Sequence, residues 1–118
     1  MPKHTITREM ETLLLGALAT SKDSRAVTDE LIPLIRDSPT IQVDKSSSKS
    51  LYDTIRWALI GMCDRDGWVT RPFGDLDSDK RKERMAWIRT NRPQQAVDQQ
   101  VWEITDRGRA HLCGEIFR

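Results

Sequence analysis

The strongest hydrophobic pattern in the chain lies over residues 50–66. At about 100° per residue, its apolar side chains fall on one side of a helix that faces a core. They are Leu51, Ile55, Ala58, Leu59 and Met62. Ser50 is a suitable N-terminal cap, and Gly67 is a suitable stop. The pattern predicts a buried third helix over 50–66, followed by a strand over 68–73.

Two helices are predicted before this one. Apolar positions recur at helical spacing over 6–20, with Thr5 or Thr7 as the cap. A second helix is predicted from residue 24 or 25 to residue 36. Pro33 lies inside it and removes a backbone donor, so this helix either starts late, near Thr28, or bends. Residues 37–49 are expected to form a polar connection, with a short extended stretch.

The C-terminal half changes to a different pattern. Residues 74–98 form a long charged segment, which is either a flexible hairpin tip or holds a short helical turn. Residues 99–105 alternate apolar and polar side chains, as in a returning strand. Thr105 then caps a last helix over 106–115, whose expected buried residues are Ala110, Leu112 and Cys113.

This order of elements is that of a winged helix-turn-helix. It predicts an α+β fold, mostly α, with a three-helix core, a two-stranded antiparallel wing with a long tip, and a C-terminal helix. With 118 residues, of which 37% are hydrophobic, the chain is expected to form a single domain over 1–118. A DNA-binding module excised from a larger protein is the open alternative.

Composition excludes several classes of function. The chain has neither a run of about 18 apolar residues nor an apolar leader, which predicts a cytoplasmic protein without a membrane partner. Cys63 and Cys113 lack metal-ligand spacing and are expected to be buried thiols. His4 and His111 are isolated from each other and from any cysteine pair. No catalytic set, metal site or cofactor site is predicted, so an enzyme is not expected.

Positive charge is concentrated in the middle of the chain. The net charge is +1, but residues 45–95 hold eleven Lys and Arg against seven Asp and Glu. A basic, hydroxyl-rich stretch leads into the third helix and is suited to phosphate contact and groove entry. Its candidate DNA-binding residues are Lys45, Ser47, Ser48, Lys49, Ser50, Tyr52 and Arg56. The alternative is a solvated loop with ordinary caps.

A second basic run lies in the long charged segment. It is predicted to follow the DNA backbone or enter the minor groove, the alternative being a solvated wing tip. Its candidates are Lys80, Arg81, Lys82, Arg84 and Arg89. Trp87 either stacks on a base or, with Met85 and Ile88, anchors the segment to the body.

The other three tryptophans have simpler predictions. Trp68 and Trp102 are expected to pack in the core or the hairpin. Trp57 lies opposite the apolar stripe of the third helix, and we expect the wing to cover it rather than leave it open toward DNA.

Two stretches of the sequence resemble the motifs of a known protein family. Residues 52–59, running on to Gly67, are similar to an Ile-x-Trp-Ala helix followed by a glycine and a strand. Residues 101–110 are similar to a Val-Trp-x-Leu/Ile-Thr-x-x-Gly corner. Together they resemble the N-terminal winged-helix domain of Mrr-type restriction endonucleases and related phage and bacterial proteins. The segment between Gly67 and Val101 is longer than that family's compact hairpin.

The resemblance implies a module that binds double-stranded DNA beside a nuclease domain, in the same chain or in a partner chain. By family analogy, it also implies the reading of modified, methylated bases. We therefore expect a DNA-binding protein of a restriction, defence or regulatory system. The alternatives are a transcriptional regulator and a winged helix for protein interaction or homodimerisation, the latter with Trp57, Ile60 and Trp87 on the partner surface.

Overall fold

The structure is a computed structural model that describes residues 6–116. It contains five α-helices, α1 Arg8–Thr20, α2 Ile32–Arg36, α3 Ser48–Gly61, α4 Arg81–Asn91 and α5 Asp106–Ile116. It also contains three strands, β1 Arg25–Val27, β2 Val69–Thr70 and β3 Val101–Ile104. The predicted α+β, mainly helical class is confirmed. Within 6–116, no helix has the length and apolar character needed to cross a bilayer.

Side-chain caps fix where α1 and α3 begin. Thr7 caps α1 as predicted, because its Oγ1 accepts a hydrogen bond from the Met10 amide at 3.2 Å. For α3 the prediction of Ser50 is wrong, since Ser47 Oγ accepts from the Ser50 amide at 3.1 Å. The end of α3 passes through a π-helical turn over 62–66 and stops at Gly67, whose φ of 68° suits glycine.

The second predicted helix is wrong over residues 25–27, which form β1. Ala26 and Val27 pair with Trp102 and Val101 of β3, so tertiary pairing overrides the helical spacing of this short stretch. A 3-10 turn follows over 28–31, and α2 then begins with Pro33 in its first turn. The alternative of a late start near Thr28 is thus confirmed. Proline is tolerated there because the amide it lacks has no partner within the helix.

The sheet has three antiparallel strands in the order β1-β3-β2, rather than the predicted two. One face of the sheet packs against α1, α3 and α5 in a cluster that we call the helical core. Trp102 lies in it with 1% exposure and donates from Nε1 to Thr28 Oγ1 at 2.9 Å. The predicted apolar stripe of α3 is confirmed, because all five of its side chains are buried there.

The opposite face of the sheet is covered by α4. Val27 and Val101 project from this face and pack on Ile88 of α4, and Phe73 and Trp87 flank them. We call this second group the α4 cluster. Residues 74–98 are therefore not a flexible hairpin tip, because the eleven-residue α4 within them folds back over the sheet.

The corner between β3 and α5 requires a glycine. Thr105 Oγ1 donates to the Gly67 carbonyl at 2.7 Å and accepts from the Gly108 amide at 3.0 Å, so the predicted cap is confirmed. A Cβ on Gly108 would lie 2.1 Å from the Trp68 carbonyl oxygen. The glycine of the Thr-x-x-Gly pattern is thus needed because α5 lies close to the backbone that precedes β2.

The predicted burials of the cysteines and of the α5 side chains are only partly confirmed. Leu112 is buried, but Ala110 and Cys113 are exposed, because α5 presents only one side to the body. Cys63 is half-buried, and partial burial raises the pKa of its thiol. Both cysteines are free thiols.

Candidate nucleic-acid interface

The outer face of α3 is open to solvent. Lys49, Arg56 and Trp57 are exposed on it, and within residues 6–116 neither cation has an ion pair or a side-chain hydrogen bond. Trp57 is 51% exposed, so the prediction that the wing covers it is wrong. The reason is that α4, which would have been the covering segment, packs on the sheet instead.

In the stretch predicted to contact phosphate, some hydroxyls and one lysine make hydrogen bonds within the protein. Lys45 Nζ donates to the Ser38 carbonyl at 2.6 Å, which ties the connection before α3 to the end of α2. Ser47 caps α3 and donates to Ser50 Oγ at 3.1 Å. Ser48 and Lys49 remain exposed in the first turn. Among the described residues of this segment, Lys49 is therefore the lysine whose ammonium has no hydrogen-bond partner.

A cleft of about 220 Å³ runs beside α3, and we call it the α3 cleft. One wall is formed by α3 and the other by the segment after β2. Its lining residues are Tyr52, Arg56, Ile60, Arg71, Asp75, Leu76, Asp77, Gln100 and Trp102. Sequence reasoning proposed Tyr52 and Arg56 but missed the opposite wall. The alternating aspartates at 75, 77 and 79 were the available signal, although nothing local places them beside α3.

Charges in the α3 cleft are partly compensated. Arg71 donates to Asp75 at 2.8 Å and to Asp64 at 3.3 Å. Asp77 is exposed and has neither an ion pair nor a hydrogen bond among the described residues. Arg56 and Asp77 are thus an unpaired cation and an unpaired anion that line the same cleft.

Arg84 corrects the prediction for the second basic run. Its side chain is fully buried, and it donates to the Leu76 carbonyl at 2.9 Å and to Asp98 Oδ1 at 3.2 Å. Its Nε has no hydrogen-bond partner. Because a side chain with no exposed surface does not reach a polyanion, Arg84 is an anchor that holds α4 against the wall of the α3 cleft.

The rest of this run stays on the surface. Lys80, Lys82 and Arg89 are exposed and have no side-chain partner within residues 6–116, whereas Arg81 lies 4.0 Å from Asp98. Arg84 links α4 to Leu76, so the cations at the start of α4 follow directly after the acidic wall of the α3 cleft. The carboxylates of Asp75 and Asp77 therefore line the cleft with Arg56 and precede these cations in the sequence.

Of the two roles predicted for Trp87, its contacts support the anchoring of α4 to the body of the protein. The guanidinium groups of Arg25 and Arg92 lie 5.4 and 5.1 Å from the centre of its ring, and Phe73 lies 6.4 Å away. Arg92 in turn binds Glu30 at 2.9 Å. The ring is half-buried among these partners, which supports the anchoring role, and stacking on a base stays a prediction.

Away from α3 and α4, the surface has a groove with apolar residues and a stacked aromatic pair. A groove of about 790 Å³ runs along α1, where Leu13, Gly16 and Ala17 face Leu34 and Leu112. His111 stacks on Trp68 with ring centres 3.6 Å apart. Within residues 6–116, no group of three or more His, Cys, Asp and Glu side chains is placed to bind a metal ion.

Comparisons with protein-family models, curated proteins and solved structures give no significant match to this chain.

Proposed function

We propose that this protein is a winged-helix module that binds double-stranded DNA through α3. The observation that carries the proposal is the exposed, unpaired pair of cations on the outer face of α3, Lys49 and Arg56. The element order supports it, because α3 follows the short α2 and is succeeded by β2 and β3, which pair with each other, while β1 precedes both helices and pairs with β3. A helix held in this way by its buried face leaves the opposite face free for the major groove.

Electrostatics sets the expected character of binding. Lys49 lies in the first turn of α3 with the exposed hydroxyl of Ser48, which suits a phosphate. Lys80, Lys82 and Arg89 of α4 are further candidates for backbone contact. Few phosphates are neutralised, and Asp75 and Asp77 reduce the positive field, so binding should be modest and should weaken with salt by a slope of about one per phosphate contacted.

The test is a fluorescence anisotropy titration of a random-sequence duplex at low and at moderate salt. The double variant Lys49→Ala with Arg56→Ala should weaken binding about tenfold or more and reduce the slope of log affinity against log salt by up to about two. Arg8→Ala with Lys22→Ala is the matched control, since it removes the same charge from the two ends of α1. Equal losses in the two double variants would contradict an α3 interface.

The biological setting is carried by the resemblance to Mrr-type endonucleases. It places the module in a restriction, defence or regulatory system of bacteria or phages, beside a nuclease domain in the same chain or in a partner chain. Reading of methylated bases is tested by titrating duplexes of one sequence with and without 5-methylcytosine or N6-methyladenine. Equal affinity for all of them would contradict that part of the proposal.

Protein interaction or homodimerisation is the second candidate. Trp57 favours it, because it is 51% exposed and borders a small cleft with Ile6 and Gly61. A large exposed aromatic side chain is typical of the centre of an interface. Sedimentation over a wide range of protein concentration tests it: concentration-dependent association that Trp57→Ala abolishes supports a dimer surface on α3, and a monomer throughout contradicts self-association.

A further inference from the structure

The α3 cleft brings together a free donor group and a free acceptor group. Arg56 lines one wall and Asp77 the other, and both are exposed. Neither has an ion pair or a hydrogen bond within the described part of the chain, whereas their neighbours Arg71 and Asp75 bind each other at 2.8 Å. An occupant of this cleft therefore meets one unused guanidinium and one unused carboxylate.

A phosphate is a poor occupant of this cleft. Asp75 and Asp77 place two carboxylates on the same wall, and their charge repels an anion. The edge of a base pair is better suited, because it is uncharged and presents donors and acceptors at fixed positions. In the major groove guanine presents two acceptors, O6 and N7, and the paired cytosine presents its N4 amino donor.

We propose that the α3 cleft reads a G·C base pair in the major groove, with Arg56 donating to guanine O6 and N7 and Asp77 accepting from cytosine N4. This inference rests on the proposed function of α3. Asp77 also rejects the competing pair, because thymine presents the acceptor O4 and a carboxylate facing it leaves both groups unpaired. Lys49 binds phosphate and carries no base information.

The test compares two short duplexes, one of alternating G and C and one of alternating A and T, in anisotropy titrations at the same low salt concentration. The unsubstituted protein should bind the G·C duplex about tenfold more tightly. Asp77→Asn should reduce this ratio several-fold, mainly by tighter binding of the A·T duplex, because an amide can donate to thymine O4.

Asp79→Asn is the matched control for charge. It removes the same charge from the same exposed segment but does not line the α3 cleft, so both duplexes should gain affinity equally. Arg56→Lys is the second variant. It keeps the positive charge but loses the forked geometry that binds two acceptors, so the G·C duplex should lose more affinity than the A·T duplex.

The outcomes separate this inference from the function on which it rests. If neither duplex binds at low salt, both the proposed function and the inference are overturned. If both duplexes bind but with equal affinity, or if Asp77→Asn leaves the ratio unchanged, only the inference is overturned. A ratio that falls as much in Asp79→Asn as in Asp77→Asn also overturns it, because general charge would then be the cause.

Discussion

The two faces of the sheet are covered in different ways. The helical core joins long apolar side chains from α1, α3 and the sheet, with Leu14, Ile55 and Trp102 among its fully or almost fully buried members. The α4 cluster buries only Val27, Ile88 and Val101. Around those three, the packing consists of guanidinium groups, aromatic rings and ion pairs.

The charged packing of the α4 cluster connects distant parts of the chain. Arg25 binds Glu103 across 78 positions of sequence, and Arg92 binds Glu30 across 62. Arg25 and Arg92 also lie beside the ring of Trp87. Helical periodicity thus predicts the α1 and α3 members of the helical core, whereas the ion pairs around the α4 cluster join residues that are far apart in the sequence. We infer that α4 is the less stable layer of the molecule.

The largest effect is expected from truncating matched isoleucines on the two sides. Ile55 and Ile88 are both fully buried. Ile55→Ala should lower the free energy of unfolding by about 3 to 4 kcal/mol, and Ile88→Ala by about 2 kcal/mol, because the smaller cluster relaxes more easily around a cavity. Urea unfolding of both variants measures the difference. Equal losses would contradict the proposed inequality of the two layers.

The next effect concerns the close approach at the β3 and α5 corner. Gly108→Ala should cost about 2 to 3 kcal/mol, because the new Cβ would overlap the Trp68 carbonyl and α5 must shift away. Gly16→Ala in α1 is the control, since its Cβ meets nothing within 4 Å and the change should stabilise the helix by about 0.5 to 1 kcal/mol. Thermal unfolding of the two variants should shift in opposite directions.

A smaller and local effect is expected from Arg84, the buried arginine of α4. Arg84→Met keeps the bulk of the side chain but leaves the Leu76 carbonyl without its donor, at a cost of about 1 to 2 kcal/mol. Amide hydrogen exchange should increase in α4 and remain slow in α1 and α3. Arg81→Met, on the exposed side of α4, should change stability by less than about 0.5 kcal/mol. Uniformly faster exchange throughout the chain would mean that the two layers unfold together.

The smallest effect is a pH dependence at the half-buried Glu11 of α1. Burial raises the pKa of Glu11 above its ordinary value of 4.5, although Arg65 lies 3.2 Å away. Because the pKa of Glu11 is raised in the folded state, protonation of Glu11 stabilises the fold fully at pH values below its ordinary pKa. This stabilisation is lost as the pH rises through the raised pKa. Glu11→Gln should therefore unfold at a higher temperature than the unsubstituted protein near neutral pH.

That gain should shrink when the same melting curves are recorded at about pH 4, where Glu11 is largely protonated in both states. Glu83→Gln on the exposed side of α4 is the control and should give no gain at neutral pH. A gain for Glu11→Gln that is independent of pH would show that burial of the charge is not its cause.

Sequence reasoning was most successful where the governing interactions are local. Thr7 and Thr105 act as caps, Gly67 ends its helical segment, and Leu51 to Met62 bury the predicted stripe, because each depends on neighbours within one or two helical turns. It was wrong for β1, for the covering of Trp57 and for the surface position of Arg84. Those three depend on which segment pairs with β3 and on where α4 packs.

The candidate interface divides in the same way. The chain itself determined that Arg56 lies on a helix whose other side is buried, because helical spacing fixes which side chains share a face. Lys49 was predicted just before that helix, and it lies in the first turn because α3 begins at Ser48. Only the tertiary structure decided that Asp77 lines the same cleft as Arg56 and that Arg84 and Trp87 are buried or covered. Charge and hydrophobicity are properties of residues, whereas a free partner across a cleft is a property of how distant segments pack.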